Sequence, residues 1–155
     1  MPIDIDPQAK RMRKRNRITT YLWNIGMQIR NETGGTLARN TLLAITGWDA
    51  VKDVPKVSKA DADDSTLMAG LIVRSPISNN RYGYAFYSSL SYRDIDTSAA
   101  AAVGSTVFLS AVAGGFVFVA PIAPAKTQIV GRVTVKHATT GRIAFDLVTN
   151  SKPSV

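Results

Sequence analysis

The chain has 155 residues, of which 45% are hydrophobic and 19% charged, with no cysteine and a formal net charge of +8 at pH 7. That length suits one domain with a short appendage, and so apolar a composition is unlike that of a disordered chain. Disulfide frameworks and thiolate metal sites are excluded, and no run reaches the roughly 18 apolar residues of a membrane span.

The stretch from Val103 to Ile122 comes nearest to such a span, but Ser105, Thr106, Ser110 and Gly114-Gly115 break it into strand-length pieces. The first basic run is followed by polar rather than apolar residues, which is not the pattern of a signal peptide. Residues 1–30 hold seven cations (Lys10, Arg11, Arg13, Lys14, Arg15, Arg17 and Arg30) against Asp4 and Asp6, so +5 of the +8 lies in this segment. Charge confined to one terminus predicts an arm that meets something acidic.

Residues 1–17 contain almost nothing for a core. Pro7 after Asp6 can open a short helix over 8–17, but like charges three and four apart repel, so the segment is expected to order against a partner. From Ile18 the texture changes. Tyr21, Trp23 and Ile25 alternate with Leu22 and Asn24, and Met27 and Ile29 continue one face, with Gly26 at a bend or bulge. A helix over 18–25 is the alternative. The expected divisions are a basic arm and lead-in segment over 1–26, a β domain over 27–149 and a tail over 150–155.

Short strands separated by turn signals follow. Leu42–Ile45 runs from the turn residues Arg39-Asn40 to Gly47. Val54–Val57 contains Pro55, which favours an edge position. Ala69–Val73 lies between Asp63-Asp64-Ser65 and Ser75-Pro76. Asn79-Asn80 turns into the clearest alternation, with Tyr82, Tyr84 and Phe86 on one face and Gly83, Ala85 and Tyr87 on the other. Val107–Leu109 and Phe116–Val119 form a hairpin around Gly114-Gly115. Val133–Val135 and Ile143–Leu147 form another around Thr139-Thr140-Gly141. The fold class is therefore all-β, a sandwich or barrel of about eight short antiparallel strands behind an extended N-terminal arm. The stretches Thr36–Gly47 and Ala99–Gly115 echo one another, with Asn40 standing where Gly104 stands. Both residues tolerate a positive φ.

Chemistry-bearing groups have ordinary structural readings. His137 is the sole histidine and precedes a hairpin turn, so neither a triad nor a zinc site has partners. Asp61, Asp63 and Asp64 lack the glycine and terminal glutamate of a calcium loop and read as caps. Asp94 and Asp96 share one side of an extended chain, beside Thr97-Ser98, which supports a turn over a carboxylate pair for catalysis. Gly34-Gly35 and Gly114-Gly115 have no phosphate-loop context. The stripe Tyr82, Tyr84, Phe86 reads as core or subunit-interface packing, or, if exposed, as a receptor-facing platform for bases or sugars beside Arg74, Arg81 and Arg93. No enzyme, cofactor or metal is expected.

The succession Arg30-Asn31-Glu32-Thr33-Gly34-Gly35, Leu42-Leu43-Ala44-Ile45-Thr46-Gly47, Pro55-Lys56-Val57, Ala60-Asp61-Ala62 and Ala69-Gly70-Leu71-Ile72 resembles a β domain of tailed-phage virion proteins. Asp94-Ile95-Asp96-Thr97-Ser98, Val103-Gly104, Val107-Phe108-Leu109-Ser110, Ala113-Gly114-Gly115, Pro121, Ile129-Val130-Gly131-Arg132-Val133 and Thr140-Gly141-Arg142-Ile143 extend the resemblance. Such domains occur in head decoration (cement) proteins, head fibres and tail-fibre shafts. Family members often carry Gly-Asp where this chain has Asn40-Thr41 and Gly104-Ser105.

The resemblance implies a structural, non-enzymatic role in the virion, as a symmetric oligomer, and a compact β domain with a flexible basic arm suits the capsid surface, after assembly in the host cytoplasm. The expected partners are the major capsid protein and further copies of the chain, as a homotrimer, with no membrane; DNA contact through the basic arm is a third, less favoured reading. Lys10, Arg11, Arg13, Lys14, Arg15, Arg17, Tyr21 and Trp23 would be the arm residues that touch the shell. A head- or tail-fibre module recognising the host surface is the alternative.

Overall fold

Two segments, Leu42-Leu43-Ala44 and Leu71-Ile72-Val73, are buried on both faces, and they organise the fold. Continuous apolar runs of this length belong to strands with a core on each side. Leu43, Leu71 and Val73 point into one core with Ile29, Leu37, Val57, Ile77 and Ala85. Leu42 and Ile72 point into a second core with Val107, Leu109, Val130, Val133, Ile143 and Phe145.

The structure is a computed structural model that describes residues 26–147. Its strands are β1 (Gly26–Asn31), β2 (Leu42–Asp49), β3 (Val54–Lys59), β4 (Leu71–Val73), β5 (Tyr82–Phe86), β6 (Ser88–Ile95), β7 (Thr106–Leu109), β8 (Phe116–Val117), β9 (Ile129–Val135) and β10 (Gly141–Asp146). The first five close into a barrel in the order β1-β3-β2-β4-β5, and the other five form a sheet in the order β6-β10-β9-β7-β8. The all-β expectation holds, with barrel and sheet both present and ten strands where about eight were expected.

The expectation of purely antiparallel pairing needs one correction. β1 and β3 run parallel, through Arg30↔Lys56 and Asn31↔Val57, while every other barrel pair is antiparallel. A closed ring of five strands cannot alternate direction throughout, so one parallel pair is a geometric necessity. β3 is also no edge strand, despite Pro55. Its pairing to β1 begins at Lys56, so the missing proline N–H falls where the ladder is still one-sided. Gly47, expected to end β2, instead lies inside it at a register shift between Ile45 and Gly47. The Ser-rich strand β6 had no counterpart in the pattern reading.

One turn geometry occurs three times. Asn40 N–H donates to Val73 C=O (2.8 Å), and Val73 N–H donates to Thr41 C=O (3.0 Å). Gly104, Ser105 and Val133 repeat this at 2.7 and 2.9 Å, and Asn80, Arg81 and Asn31 at 2.7 and 3.0 Å. The three turn residues have φ of 68°, 88° and 58°, the left-handed region open to Asn and Gly. The echo between the Asn40 and Gly104 segments is thus a shared backbone geometry. Leu37 and Ile77 bond reciprocally across the barrel (2.9 and 3.0 Å), joining two of these turns.

Main-chain bonds stitch barrel to sheet: Leu42 N–H to Gly114 C=O (2.9 Å), Gly114 N–H to Ala60 C=O (2.6 Å) and Ala62 N–H to Ser110 C=O (3.0 Å). Gln128, fully buried, adds a side-chain clamp: its Nε2 donates to Ala69 C=O (2.7 Å) and its Oε1 accepts from Ala69 N–H (2.8 Å). The described chain begins at Gly26, opposite Phe86, and ends at Leu147, whose N–H donates to Tyr87 C=O (2.9 Å). Both ends therefore flank Phe86-Tyr87, the step from barrel to sheet.

Candidate functional site

β5 pairs with β1 on one side and β4 on the other, so its side chains alternate between barrel interior and exterior. The interior positions are small because Ile77 occupies the space. A Cβ at Gly83 would lie 2.6 Å from Ile77 Cδ1, and Ala85 is fully buried. Tyr82, Tyr84 and Phe86 consequently face outward, so the stripe does not supply the barrel core. Phe86 reaches the core between the layers from its edge, whereas Tyr84 is 62% exposed.

The three rings line a groove of about 710 Å³ together with Arg39, Arg74, Ser75, Pro76 and Asp94. Arg74 lies over the Phe86 ring at 5.0 Å, a cation–π contact. Arg39 Nε donates to Arg74 C=O (3.2 Å), and its Nη1 lies 3.5 Å from Asp94 Oδ2. The Tyr84 hydroxyl has no hydrogen-bond partner among the described residues. The groove thus offers an open aromatic face, a guanidinium with spare N–H groups and a carboxylate with a spare oxygen.

One wall rests on a polar cluster. Tyr82 Oη donates to Asp49 Oδ2 (2.5 Å) and accepts from Arg30 Nη1 (2.9 Å), which also lies 3.4 Å from Asp49 Oδ2. Arg30 Nε is 2.6 Å from Glu32 Oε1, an ion pair whose N–H is not aligned as a hydrogen bond, and Lys56 Nζ is 3.0 Å from Glu32 Oε2. The Tyr82 hydroxyl holds the Asp49 carboxyl below its ordinary value, aided by the Val51 N–H and Arg30 against the effect of burial. The same bond, with burial, pushes the Tyr82 phenol up. Asp49 carried no sequence signal beyond its charge, and Arg30 and Glu32 stood out beyond theirs only in the run that opens the family resemblance.

The structure brings Arg74 to the stripe, but Arg81 is not among the groove residues. Arg39 was missed because 35 residues separate it from Arg74 in the chain. Lys10, Arg11, Arg13, Lys14, Arg15, Arg17, Tyr21 and Trp23 lie outside the described residues, as does the tail over 150–155. Asp96 accepts from Ser98 N–H and Oγ (2.9 and 2.6 Å), and Asp64 accepts from Thr66 N–H and Oγ (2.8 and 2.7 Å), which holds both carboxyls below their ordinary values. His137 Nδ1 accepts the N–H groups of Thr139 and Thr140, both at 3.1 Å, as a turn cap. No three of His, Cys, Asp and Glu gather at a metal-binding distance among the described residues. Nor is any helix there long and apolar enough to cross a membrane.

A second surface feature lies beside β8. Val119 and Ile122 are 77% and 87% exposed, next to Phe116, Phe118 and Pro121 in an apolar depression of about 610 Å³.

No protein-family model matches the chain, and no curated protein matches it in sequence. Among solved structures, the N base of the head fiber gp8.5 of bacteriophage phi29 is similar, with a TM-score of 0.52 at 12% identity. The match covers 79% of this chain and 94% of that one. The likeness is therefore one of fold, over nearly the whole of the phage domain.

Proposed function

We propose that this protein is a structural, non-enzymatic component of a tailed-phage virion, a decoration module seated on the head shell. The observation that carries this reading is the fold likeness to a head-fibre base, which spans 94% of that domain. The charge distribution supports it as well, since +5 of the net +8 lies in residues 1–30 and suits an acidic shell surface. In this reading residues 1–26 reach across capsid subunits through Lys10 to Arg17, Tyr21 and Trp23. The β domain then adds contact area that raises the barrier to rupture of the shell. The face around Val119 and Ile122, apolar apart from Ser110 and Asp63, is the contact between copies in a trimer, because it buries mainly apolar area.

Copy number per particle, measured by quantitative mass spectrometry against the major capsid protein, tests the reading. Near-stoichiometric copies support shell decoration, and a handful of copies overturns it in favour of a fibre or collar. Deletion of residues 1–17 should abolish shell binding while leaving a folded β domain. Full occupancy by the truncated protein refutes the role of the arm.

The alternative, a fibre module that faces the host, is favoured by the exposure of Tyr84 in the groove. It predicts that Tyr84→Ala lowers adsorption to cells with particle stability unchanged.

A further inference from the structure

We infer that the groove lined by Arg39, Arg74, Tyr84, Phe86 and Asp94 is a binding site for an acidic saccharide, one that carries carboxylates on a hydroxyl-rich ring chain. The inference stands apart from the shell-attachment reading, because none of these residues belongs to the arm or to the apolar face beside β8.

Tyr84 carries the argument. Its ring is 62% exposed, its hydroxyl is unpartnered among the described residues, and the barrel interior beneath it is already filled by Ile77 against Gly83. The side chain therefore has no packing role in the barrel. An aromatic ring with a polar tip suits a ligand with one apolar and one hydroxylated face, which is how a pyranose ring presents its C–H and O–H groups. The floor beside it is Phe86, over whose ring the Arg74 guanidinium lies at 5.0 Å.

The polar groups around that floor are those a sugar acid needs. Arg39 is held at Nε by the Arg74 carbonyl, so the plane of its fork is fixed while N–H groups remain to pair with a carboxylate. Asp94 engages Arg39 through Oδ2 at 3.5 Å and retains Oδ1 to accept from hydroxyls. It stands at φ 62° at the end of β6, so the backbone geometry that turns it toward Arg39 is one a non-glycine residue seldom adopts. Arg39, Arg74 and Asp94 give the groove lining a formal charge of +1, which favours an acidic over a neutral sugar. Its volume falls within the roughly 300–1,000 Å³ of ordinary small-ligand sites. A nucleic acid fits less well, because the groove lacks the continuous basic track that follows a strand backbone.

The test is titration of the full-length protein with an oligogalacturonate, a neutral malto-oligosaccharide of the same length and an oligothymidylate, followed by calorimetry and by amide chemical shifts. The oligogalacturonate should bind, with shifts centred on Arg39, Ser75, Tyr84 and Asp94, and the neutral oligomer should bind at least about tenfold more weakly. Tyr84→Ala and Arg39→Ala should each reduce uronate affinity about tenfold or more, with an unchanged circular dichroism spectrum. Undiminished affinity in Tyr84→Ala, tighter binding of the oligothymidylate, equal binding of the neutral oligomer, or no binding at millimolar ligand would each overturn the inference. Copy number on the particle should be the same for Tyr84→Ala as for the wild type, which separates failure of this site from failure of shell attachment.

Discussion

The side-chain amide of Gln128 pairs with both main-chain groups of Ala69, donating to its carbonyl and accepting from its N–H, in a place from which water is excluded. Gln128 thereby acts as one extra rung of a β-ladder between the sheet and the barrel. Its loss leaves two buried backbone groups without a partner.

Gln128→Ala should therefore destabilise the protein by about 1–3 kcal/mol for each group stranded. Gln128→Glu discriminates further. An ionised Glu accepts from Ala69 N–H but repels its carbonyl, whereas a protonated Glu can satisfy both. The denaturation midpoint of Gln128→Glu should approach that of the wild type as pH falls. A constant gap across the acid range would refute the pairing.

Gly83→Ala should cost about 1–3 kcal/mol by overpacking, because the new Cβ lies 2.6 Å from Ile77 Cδ1 and Cγ1. Combination with Ile77→Ala should cost less than the sum of the two single changes, measured by urea denaturation. Additive costs would show that the two positions do not share that space.

Asn40 has φ 68°, and its side-chain Oδ1 is buried with no hydrogen-bond partner among the described residues. Asn40→Gly accepts the same backbone and removes the stranded oxygen. It should stabilise the protein by about 1 kcal/mol, whereas Asn40→Val should destabilise it by about 1–2 kcal/mol through left-handed strain. Thermal midpoints of the two variants check the order.

The Tyr82–Asp49 bond sets pH limits at both ends. Asp49 titrates below its ordinary 3.8 in the folded state, so its contribution is full above that value and is lost as pH falls through the lowered one. Tyr82 titrates above its ordinary 10.0, so its contribution is full below that value and is lost as pH rises through the raised one. Asp49→Asn should flatten the acid limb of the stability curve, and Tyr82→Phe the alkaline limb. Both are read from denaturation midpoints across pH.

Local pattern was legible in the sequence where each residue had one environment. The alternation of Tyr82, Tyr84 and Phe86 with Gly83 and Ala85, and the hairpin turns at Gly114 and Thr139–Gly141, depend on neighbours in the chain. What could not be read was closure. Whether Leu42 and Leu43 face one core or two depends on β4 and the distant sheet, and the place of Pro55 inside a barrel depends on where β1 begins to pair. The candidate site was half legible for the same reason. Its aromatic stripe is one strand, but Arg39 reaches it from a turn and Asp94 from the end of β6, and nothing in their own neighbourhoods marks them as partners. Strand β6 escaped because Ser88-Ser89 and Ser91 give no apolar alternation.

The meeting of Gly26 and Leu147 at Phe86-Tyr87 makes the described unit a cassette. Such a unit can be spliced into a surface loop of another protein without parting the flanking strands of its host. It also tolerates rewiring: a short tether joining residues 26 and 147, with new termini opened at the exposed Ala50–Lys52 turn, would preserve every strand pairing. A genome that acquired this segment could therefore graft it onto unrelated chains by insertion as readily as by end-to-end fusion.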